Sequence, residues 1–175
     1  MNLKDYIRSI SDYPKKGILF RDITTLIKDE KAFAESIDQI VERSKKFKVD
    51  KIAAIESRGF LFASAVSYLL KKPFIMLRKK NKLPAETYSV DFELEYGTAT
   101  IEVHKDSINK DDSILVIDDL IATGGTAEAA AKLVEMSGGN IAAFIFVINL
   151  FDLGGSDNLI KKNYKVENLL NFPGH

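Results

Sequence analysis

The sequence contains no cysteine and only two histidines, His104 and His175, so several kinds of chemistry lack the residues they need. Without cysteine there is no disulfide framework, thiolate nucleophile or zinc–thiolate site, although this absence does not fix the compartment. A histidine base has one plausible candidate, His104, in the alternating pattern Thr-Ile-Glu-Val-His-Lys. We interpret it as a half-exposed strand residue rather than a catalyst.

An excess of charge and a long apolar run are also missing. Lys and Arg number 25, as do Asp and Glu, so the formal net charge is zero. A general nucleic-acid surface usually needs a strong basic excess, so we expect no nucleic-acid partner. The first residues, Met-Asn-Leu-Lys-Asp-Tyr, are charged where a signal peptide would be apolar. We therefore expect a cytoplasmic location and no membrane partner.

Hydrophobic residues make up 46% of the 175 residues, which is enough for one domain with a substantial core and short for two. After a short amphipathic helix at residues 3–10, apolar runs alternate with amphipathic segments. The pattern predicts helices over 29–48, 60–70 and 127–136, and strands over 52–55, 73–77, 114–117 and 141–150. This alternation predicts an α/β fold over residues 1–175, with a parallel sheet flanked by helices.

The polar segment 79–97 interrupts this alternation. It carries Pro84 and lacks a strong periodic signal, whereas residues 98–103 alternate again. Loops of this length in compact domains are usually functional lids or disordered. We predict a flexible flap that leaves the sheet and re-enters it.

Residues 114–126 carry the strongest functional signal. An apolar run is followed by Asp118 and Asp119, by the turn Thr-Gly-Gly-Thr, and then by a helix-forming stretch. Glycines at 124 and 125 permit positive φ and a close approach of backbone N–H groups to a ligand. The start of the helix adds unpaired N–H donors and partial positive charge, which suit a phosphate.

The acidic pair fits a different part of the same ligand. Carboxylates accept hydrogen bonds and would repel a phosphate, but they suit vicinal hydroxyls or a positive charge developing on a sugar ring. The segment therefore predicts a site for a molecule with both a phosphate and a sugar diol. A solvated turn with a helix cap would give the same pattern. The glycines match neither the dinucleotide fingerprint nor a Walker loop.

The run Val-Ile-Asp-Asp-Leu-Ile-Ala-Thr-Gly-Gly-Thr, residues 116–126, resembles the phosphoribosyl-pyrophosphate motif of type I phosphoribosyltransferases. Its form is most similar to that of the adenine phosphoribosyltransferases. The resemblance implies a Rossmann-like fold and the transfer of a 5-phosphoribosyl group from phosphoribosyl pyrophosphate to adenine, giving AMP and pyrophosphate. It also implies Mg²⁺ bound mainly through the pyrophosphate, and a homodimer. Asp118 and Asp119 would bind the ribose hydroxyls. The 5-phosphate would be held by Ala122, Thr123, Gly124, Gly125 and Thr126.

Residues 54–60 form a second strand-end loop that leads into a helix. Ligands in open α/β sheets gather beyond the carboxyl ends of the strands, so this loop should lie beside the first. Ser57 and Arg58 could hold a second phosphate group, or Arg58 could be a surface residue near a helix start. The run Glu-Ser-Arg-Gly-Phe-Leu-Phe resembles the family's pyrophosphate loop, with Glu56 where Asp is usual. That loop contains a non-proline cis peptide in the family.

The stretch Leu-Arg-Lys-Lys-Asn-Lys-Leu-Pro, ending at Pro84, places four cations just past a predicted strand. Alone, such a run most often indicates a solvated face. The resemblance assigns Arg78 and Lys82 to the pyrophosphate, with Lys79 in support.

The flap's far end, Glu-Tyr-Gly, also matches the family, although on its own it is merely the end of a hairpin. We expect Glu95 to accept a proton from adenine and Tyr96 to help close the site.

Residues 13–23 resemble the family's base-recognition segment, Pro-x-x-Gly-Ile-x-Phe-Arg-Asp-Ile. On composition Phe20 would be a core residue; the resemblance makes it a stacking surface for a purine, whose edge the backbone at Leu19 and Arg21 reads. Leu153 is the candidate for the opposite wall. The ending Pro-Gly-His has no predicted role.

Two alternatives remain from the sequence. One is a phosphoribosyltransferase for another base, such as xanthine or orotate. The other is a regulator that senses phosphoribosyl pyrophosphate and binds DNA or RNA, which would be expected to add a winged-helix domain or a basic surface, or to lack the flap. The neutral charge and the full flap disfavour it.

Overall fold

The computed structural model describes residues 1–94 and 97–174. The strands are β1 (Arg8–Ser11), β2 (Leu19–Asp22), β3 (Lys51–Ile55), β4 (Phe74–Lys79), β5 (Thr87–Leu94), β6 (Gly97–His104), β7 (Ser113–Ile121), β8 (Asn140–Leu150) and β9 (Val166–Phe172). The helices are α1 (Thr24–Ile27), α2 (Glu30–Ser44), α3 (Gly59–Leu70), α4 (Gly125–Met136) and α5 (Gly155–Lys161). Short 3-10 helices cover Leu3–Tyr6 and Phe151–Leu153. None of the helices in the described ranges is long and apolar enough to cross a membrane.

Seven strands form one sheet in the order β5-β6-β4-β3-β7-β8-β9. The five strands from β4 to β9 in that order are parallel, and β6 pairs antiparallel with both β4 and β5. β1 and β2 form a separate antiparallel pair. The predicted α/β fold is confirmed, and the antiparallel hairpin β5–β6 makes the sheet mixed.

Successive residues of the central strands pack on opposite faces of the sheet. In β3, Ile52 and Ala54 join a cluster that includes Phe62 of α3 and residues of α2. Ala53 and Ile55 join a second cluster, built with α4 and α5. Burial on both faces explains why these strands are continuous apolar runs in the sequence.

The connections after β3 and β7 diverge. From β3 the chain passes through α3 to β4, which lies beside β3 on the side away from β7. From β7 it passes through α4 to β8, which lies beside β7 on the side away from β3. Helices α3 and α4 pack on opposite faces of the sheet. Since β3 and β7 are neighbours, a crevice opens at their carboxyl ends. In open α/β sheets such a point is where ligands bind.

Three predicted ends are wrong by more than two residues, two of them for a similar reason. The helix predicted over residues 29–48 ends at Ser44. The helix predicted over residues 3–10 stops at Tyr6, because Arg8–Ser11 pair with β2 instead. Strand β7 continues past Ile117 to Ile121, because its last residues pair with β8. In both places strand pairing overrode the local pattern.

Residues Thr87–Leu94 of the predicted flap form a strand, β5, that lies within the sheet rather than outside it. β5 pairs with β6 from Thr87↔His104 to Leu94↔Gly97. Tyr88, Val90 and Phe92 alternate with polar residues and pack on the cluster beside α4. His104 is half-buried, as expected of a strand residue, and its Nε2 accepts a hydrogen bond from the N–H of Ala85 at 3.2 Å.

A buried carboxylate, Glu102, ties the base of this hairpin together. It accepts hydrogen bonds from Ser89 Oγ at 2.6 Å, from the N–H of Asn81 at 2.9 Å and from Thr87 Oγ1 at 3.2 Å. The Ser89 bond first, and then the Asn81 bond, outweigh burial and hold the pKa of Glu102 below its ordinary value. Glu102 thus fixes the loop that carries Lys82 to the hairpin.

We expect Glu102→Gln to lower the free energy of unfolding by about 1–3 kcal/mol near neutral pH, because an amide replaces one hydrogen-bonded carboxylate oxygen with a donor. A depressed carboxyl pKa stabilises the folded state above the unfolded pKa of about 4.3, and this stabilisation is lost as the pH falls through the folded value. Urea unfolding at neutral and acid pH measures it. Glu86→Gln, at an exposed position of the same loop, is the control and should change little. An equal loss at both pH values would contradict the account.

Candidate active site

A pocket of about 250 Å³ at the carboxyl ends of β3 and β7 brings together the predicted phosphate and ribose residues. Its lining consists of residues 55–58, residues 118–127 and Phe146. Asp118, Asp119, Ser57 and Arg58 therefore share one pocket with the whole Ala122–Thr126 loop. Segments far apart in the sequence meet here because β3 and β7 are neighbouring parallel strands.

The loop before α4 has the backbone of a phosphate cradle. Gly124 has φ of +93° and precedes the first turn of the helix, where no side chain caps the N–H groups. Gly125 does not use the positive φ that the sequence suggested, because it already belongs to α4. The uncapped start of a twelve-residue helix leaves N–H donors and partial positive charge in the pocket.

Gly155, which the sequence analysis did not identify, packs beneath this loop. Its N–H donates to the carbonyl of Ala122 at 3.0 Å. A Cβ on Gly155 would lie 2.5 Å from that carbonyl oxygen and 2.8 Å from the nitrogen of Gly124. Only glycine permits this approach, and the Gly-Gly pair just after β8 was the available signal.

The two carboxylates differ in their surroundings. Asp119 is 6% exposed, and its Oδ2 lies 3.0 Å from Nε of Arg58. Asp118 is half-buried, and its Oδ1 accepts a hydrogen bond from the N–H of Asp119 at 2.9 Å. Burial first, and the Asp119 carboxylate second, raise the pKa of Asp118 well above its ordinary value. A hydroxyl donor or a nearby positive charge would therefore stabilise the ionised form of Asp118.

Gly59 allows α3 to begin directly against β7. A Cβ at this position would lie 2.8 Å from Oδ1 of Asp118 and 3.2 Å from the carbonyl oxygen of Ile117. With the Arg58–Asp119 ion pair, this contact fixes the loop after β3 to the end of β7.

The Glu56–Ser57 peptide bond is cis, as the family resemblance implied. Glu56 accepts hydrogen bonds from the N–H of Lys79 at 2.6 Å and from Nη2 of Arg78 at 3.1 Å. Burial acts to raise the pKa of Glu56, but these bonds outweigh it and hold the pKa below its usual value. Glu56 thus joins the ends of β3 and β4. Because Glu56 lines the pocket, its ion pair holds Arg78 beside the pocket.

Phe20 lies on β2 next to the loop that follows β3. Its ring is half-buried, 5.1 Å from the ring of Tyr13 and 5.7 Å from Cζ of Arg58. Leu19 and Arg21 flank it on the same strand. This position suits a stacking surface better than a core residue.

Other predicted residues lie apart from the pocket lining. Lys82 is in an exposed loop after β4, and Leu153 ends the 3-10 helix after β8. Glu95 and Tyr96 lie outside the described residues, so their roles stay predictions.

Comparison with known proteins agrees with this arrangement. The model of the phosphoribosyl transferase domain matches residues 23–168. The adenine phosphoribosyltransferase of Pelagibacter ubique is 86% identical over 175 residues, which is 100% of both chains. The crystal structure of adenine phosphoribosyltransferase from Thermoanaerobacter pseudethanolicus has a TM-score of 0.93 at 46% identity, covering 97% of this chain and 98% of that one.

A further solved structure, adenine phosphoribosyltransferase from Saccharomyces cerevisiae with an imino-altritol bisphosphate and adenine, has a TM-score of 0.89 at 35% identity, with 96% of each chain covered. The chain therefore belongs to the phosphoribosyltransferase family of glycosyltransferases. Within that family it groups with the adenine phosphoribosyltransferases.

Asp118→Asn should stabilise the ligand-free protein, by on the order of 1 kcal/mol near neutral pH, because it removes a charge that burial and Asp119 disfavour. A raised carboxyl pKa destabilises the folded state above that pKa, and the penalty disappears as the pH falls below the unfolded value of about 3.9. Urea unfolding at several pH values should therefore show a gain that vanishes in acid. Asp38→Asn, exposed on α2, should show no such gain. A loss of stability at neutral pH would refute the unfavourable placement of Asp118.

Proposed function

We infer that this chain transfers the 5-phosphoribosyl group from phosphoribosyl pyrophosphate to adenine, producing AMP and pyrophosphate. The supporting observation is that one pocket combines an uncapped helix start, an acidic pair and an arginine loop. A phosphate, a sugar diol and a second phosphate group are the parts of the donor that these three features fit. The names of the relatives point to the same reaction.

The 5-phosphate, the ribose and the pyrophosphate of phosphoribosyl pyrophosphate each contact a different segment of the pocket. The 5-phosphate lies on Ala122–Thr126, where backbone N–H groups surround it without a competing side-chain cap. The ribose hydroxyls donate to Asp118 and Asp119. The pyrophosphate lies toward Ser57 and Arg58, with Arg78 and Lys82 nearby at the end of β4 and in the loop after it.

Catalysis depends on charge and position. Displacement at the anomeric carbon passes through a state in which the ribose ring carries positive charge, so positioning and electrostatics lower the barrier. The ionised form of Asp118 is unfavourable in the free pocket and becomes favourable as that charge develops. Adenine stacks on Phe20, with Leu153 as the opposite wall and the backbone at Leu19 and Arg21 reading its edge.

The oxygen atoms of the pocket fit a Mg²⁺ ion that is held mainly by the substrate. Asp118 and Asp119 supply oxygen atoms, but no group of three or more His, Cys, Asp or Glu side chains is clustered in the part of the chain described. Mg²⁺ prefers oxygen ligands, keeps several waters and commonly binds through substrate phosphates. When bound, it would neutralise charge on the departing pyrophosphate.

The hairpin β5–β6 serves as the flap over this pocket. β5 lies along α4, and the carbonyl oxygen of Glu93 is 3.8 Å from where a Cβ on Gly125 would be. Residues 79–97 would therefore close beside the phosphate loop and exclude water from a ring that would otherwise hydrolyse. Glu95 would accept the adenine proton and Tyr96 would help to seal the site.

We expect the wild type to form AMP from adenine and phosphoribosyl pyrophosphate, and Asp118→Asn/Asp119→Asn to reduce kcat/KM by at least about a hundredfold, because the ring charge loses its counter-charge. Steady-state assays with adenine, xanthine and orotate measure it. Asp38→Asn is the matched control. Turnover of xanthine or orotate without adenine turnover would establish the other-base alternative, and full activity of the double variant would exclude the ribose role.

The proposal includes a cytoplasmic homodimer. Leu61 and Tyr68 on α3 and Met76 on β4 leave apolar surface exposed, with Tyr68 81% accessible. Tyr68→Asp should therefore shift the protein toward monomer in light scattering, because a charge would be buried in the interface. Ile160→Asp changes an exposed apolar residue of α5 and should leave the mass unchanged. A dimer of unaltered stability in Tyr68→Asp would place the interface elsewhere.

A further inference from the structure

The C-terminal residues Phe172, Pro173 and Gly174, called here the C-terminal clasp, contact the base-recognition strand β2. The carbonyl of Pro173 accepts a hydrogen bond from Nη2 of Arg21 at 3.1 Å, and Cζ of Arg21 lies 4.7 Å from the centroid of the Phe172 ring. Nη1 of the same guanidinium donates to Ser9 Oγ at 2.6 Å. The side chain of Arg21 therefore joins β1, β2 and the clasp.

The clasp also contacts the opposite wall. The N–H of Gly174 donates to Oδ1 of Asp152 at 2.5 Å. A Cβ on Gly174 would lie 2.7 Å from both that oxygen and Cγ of Leu153. Gly174 thus packs directly against Leu153, the residue expected to face adenine across from Phe20.

We propose that the C-terminal clasp positions the two walls of the adenine site, so that it sets affinity for the base rather than for the sugar-phosphate donor. The guanidinium of Arg21 links β2 to the clasp. The close contact of Gly174 links the clasp to the 3-10 helix that carries Leu153. Both contacts belong to the same three consecutive residues, so the clasp fixes the distance between the walls. The proposal rests on the proposed function, since it assigns adenine to these walls.

The structure separates this role from donor binding. The clasp residues are not among those that line the phosphate and ribose pocket. Arg21 likewise contacts Ser9 and the clasp, away from the acidic pair. A disturbed clasp should change the fit of the base and leave the phosphate loop and Asp118 in place.

Two variants test the clasp from its two sides. Gly174→Ala introduces the Cβ that Leu153 and Asp152 leave no room for. Arg21→Lys keeps the backbone and the charge but removes the planar guanidinium, whose two ends donate to Ser9 and Pro173 and whose face lies over the Phe172 ring. In each, we expect KM for adenine to rise by about tenfold, with KM for phosphoribosyl pyrophosphate within about twofold of wild type. Glu167→Gln is the control, because it disrupts the ion pair of β9 with Lys46, a contact that does not involve the clasp.

The outcomes separate three cases. A wild type that makes no AMP from adenine would refute the proposed function itself. If the wild type is active and either folded variant has an unchanged KM for adenine, the proposed role of the clasp is contradicted. The proposed role is also contradicted if KM for adenine and KM for phosphoribosyl pyrophosphate rise together as Tm falls, because that pattern indicates a general loss of stability. If Gly174→Ala does not fold, Arg21→Lys decides.

Discussion

The close contact between the start of α3 and the end of β7 is the constraint on which the active site depends. Gly59 leaves no room for a side chain between the helix and the Asp118 carboxylate. Arg58, one residue earlier, forms an ion pair with Asp119. These contacts place a cationic loop and an acidic pair side by side, although about sixty residues separate them in the sequence.

The carboxylates in and beside the pocket have different electrostatic surroundings. The pKa of Asp118 is raised by burial and by Asp119, so its ionised form is unfavourable before a ligand binds. At the other end of the loop, hydrogen bonds from Arg78 and from the N–H of Lys79 stabilise the ionised form of Glu56. The site thus combines a stable ion pair, Glu56–Arg78, with a carboxylate, Asp118, whose ionised form is unfavourable unless a hydroxyl donor or a positive charge lies beside it.

The central part of the fold and the grouping of the acidic pair with the glycine turn could be predicted because each depends on a short local pattern. Strand β7, the acidic pair and the glycine turn are contiguous in the sequence. The loops after β3 and β7 were expected to lie side by side because both follow the carboxyl ends of parallel strands, and the structure places them on neighbouring strands. The proposed role of Phe20 in base recognition rests instead on family resemblance, since composition alone pointed to a core residue.

Other features depend on contacts between distant residues, which local patterns do not encode. The requirement for glycine at position 155 comes from its contact with the carbonyl of Ala122. The position of the C-terminal clasp likewise depends on its hydrogen bond with Arg21. Strand β1 exists because β2 pairs with it, against a helical pattern at residues 3–10. The missed strand β5 is different: its alternation of Tyr88, Val90 and Phe92 was present in the sequence and predicts a strand.

The central claim is that the Gly59 contact sets the position of Asp118 for the ribose. The most direct measurement is calorimetric titration of phosphoribosyl pyrophosphate with Mg²⁺ into wild type and Gly59→Ala, with Ser64→Ala on the exposed face of α3 as control. We predict that Gly59→Ala folds, because the flexible Asp118 side chain can move aside, and that it binds the donor at least about tenfold more weakly. Donor affinity equal to that of wild type would contradict the account.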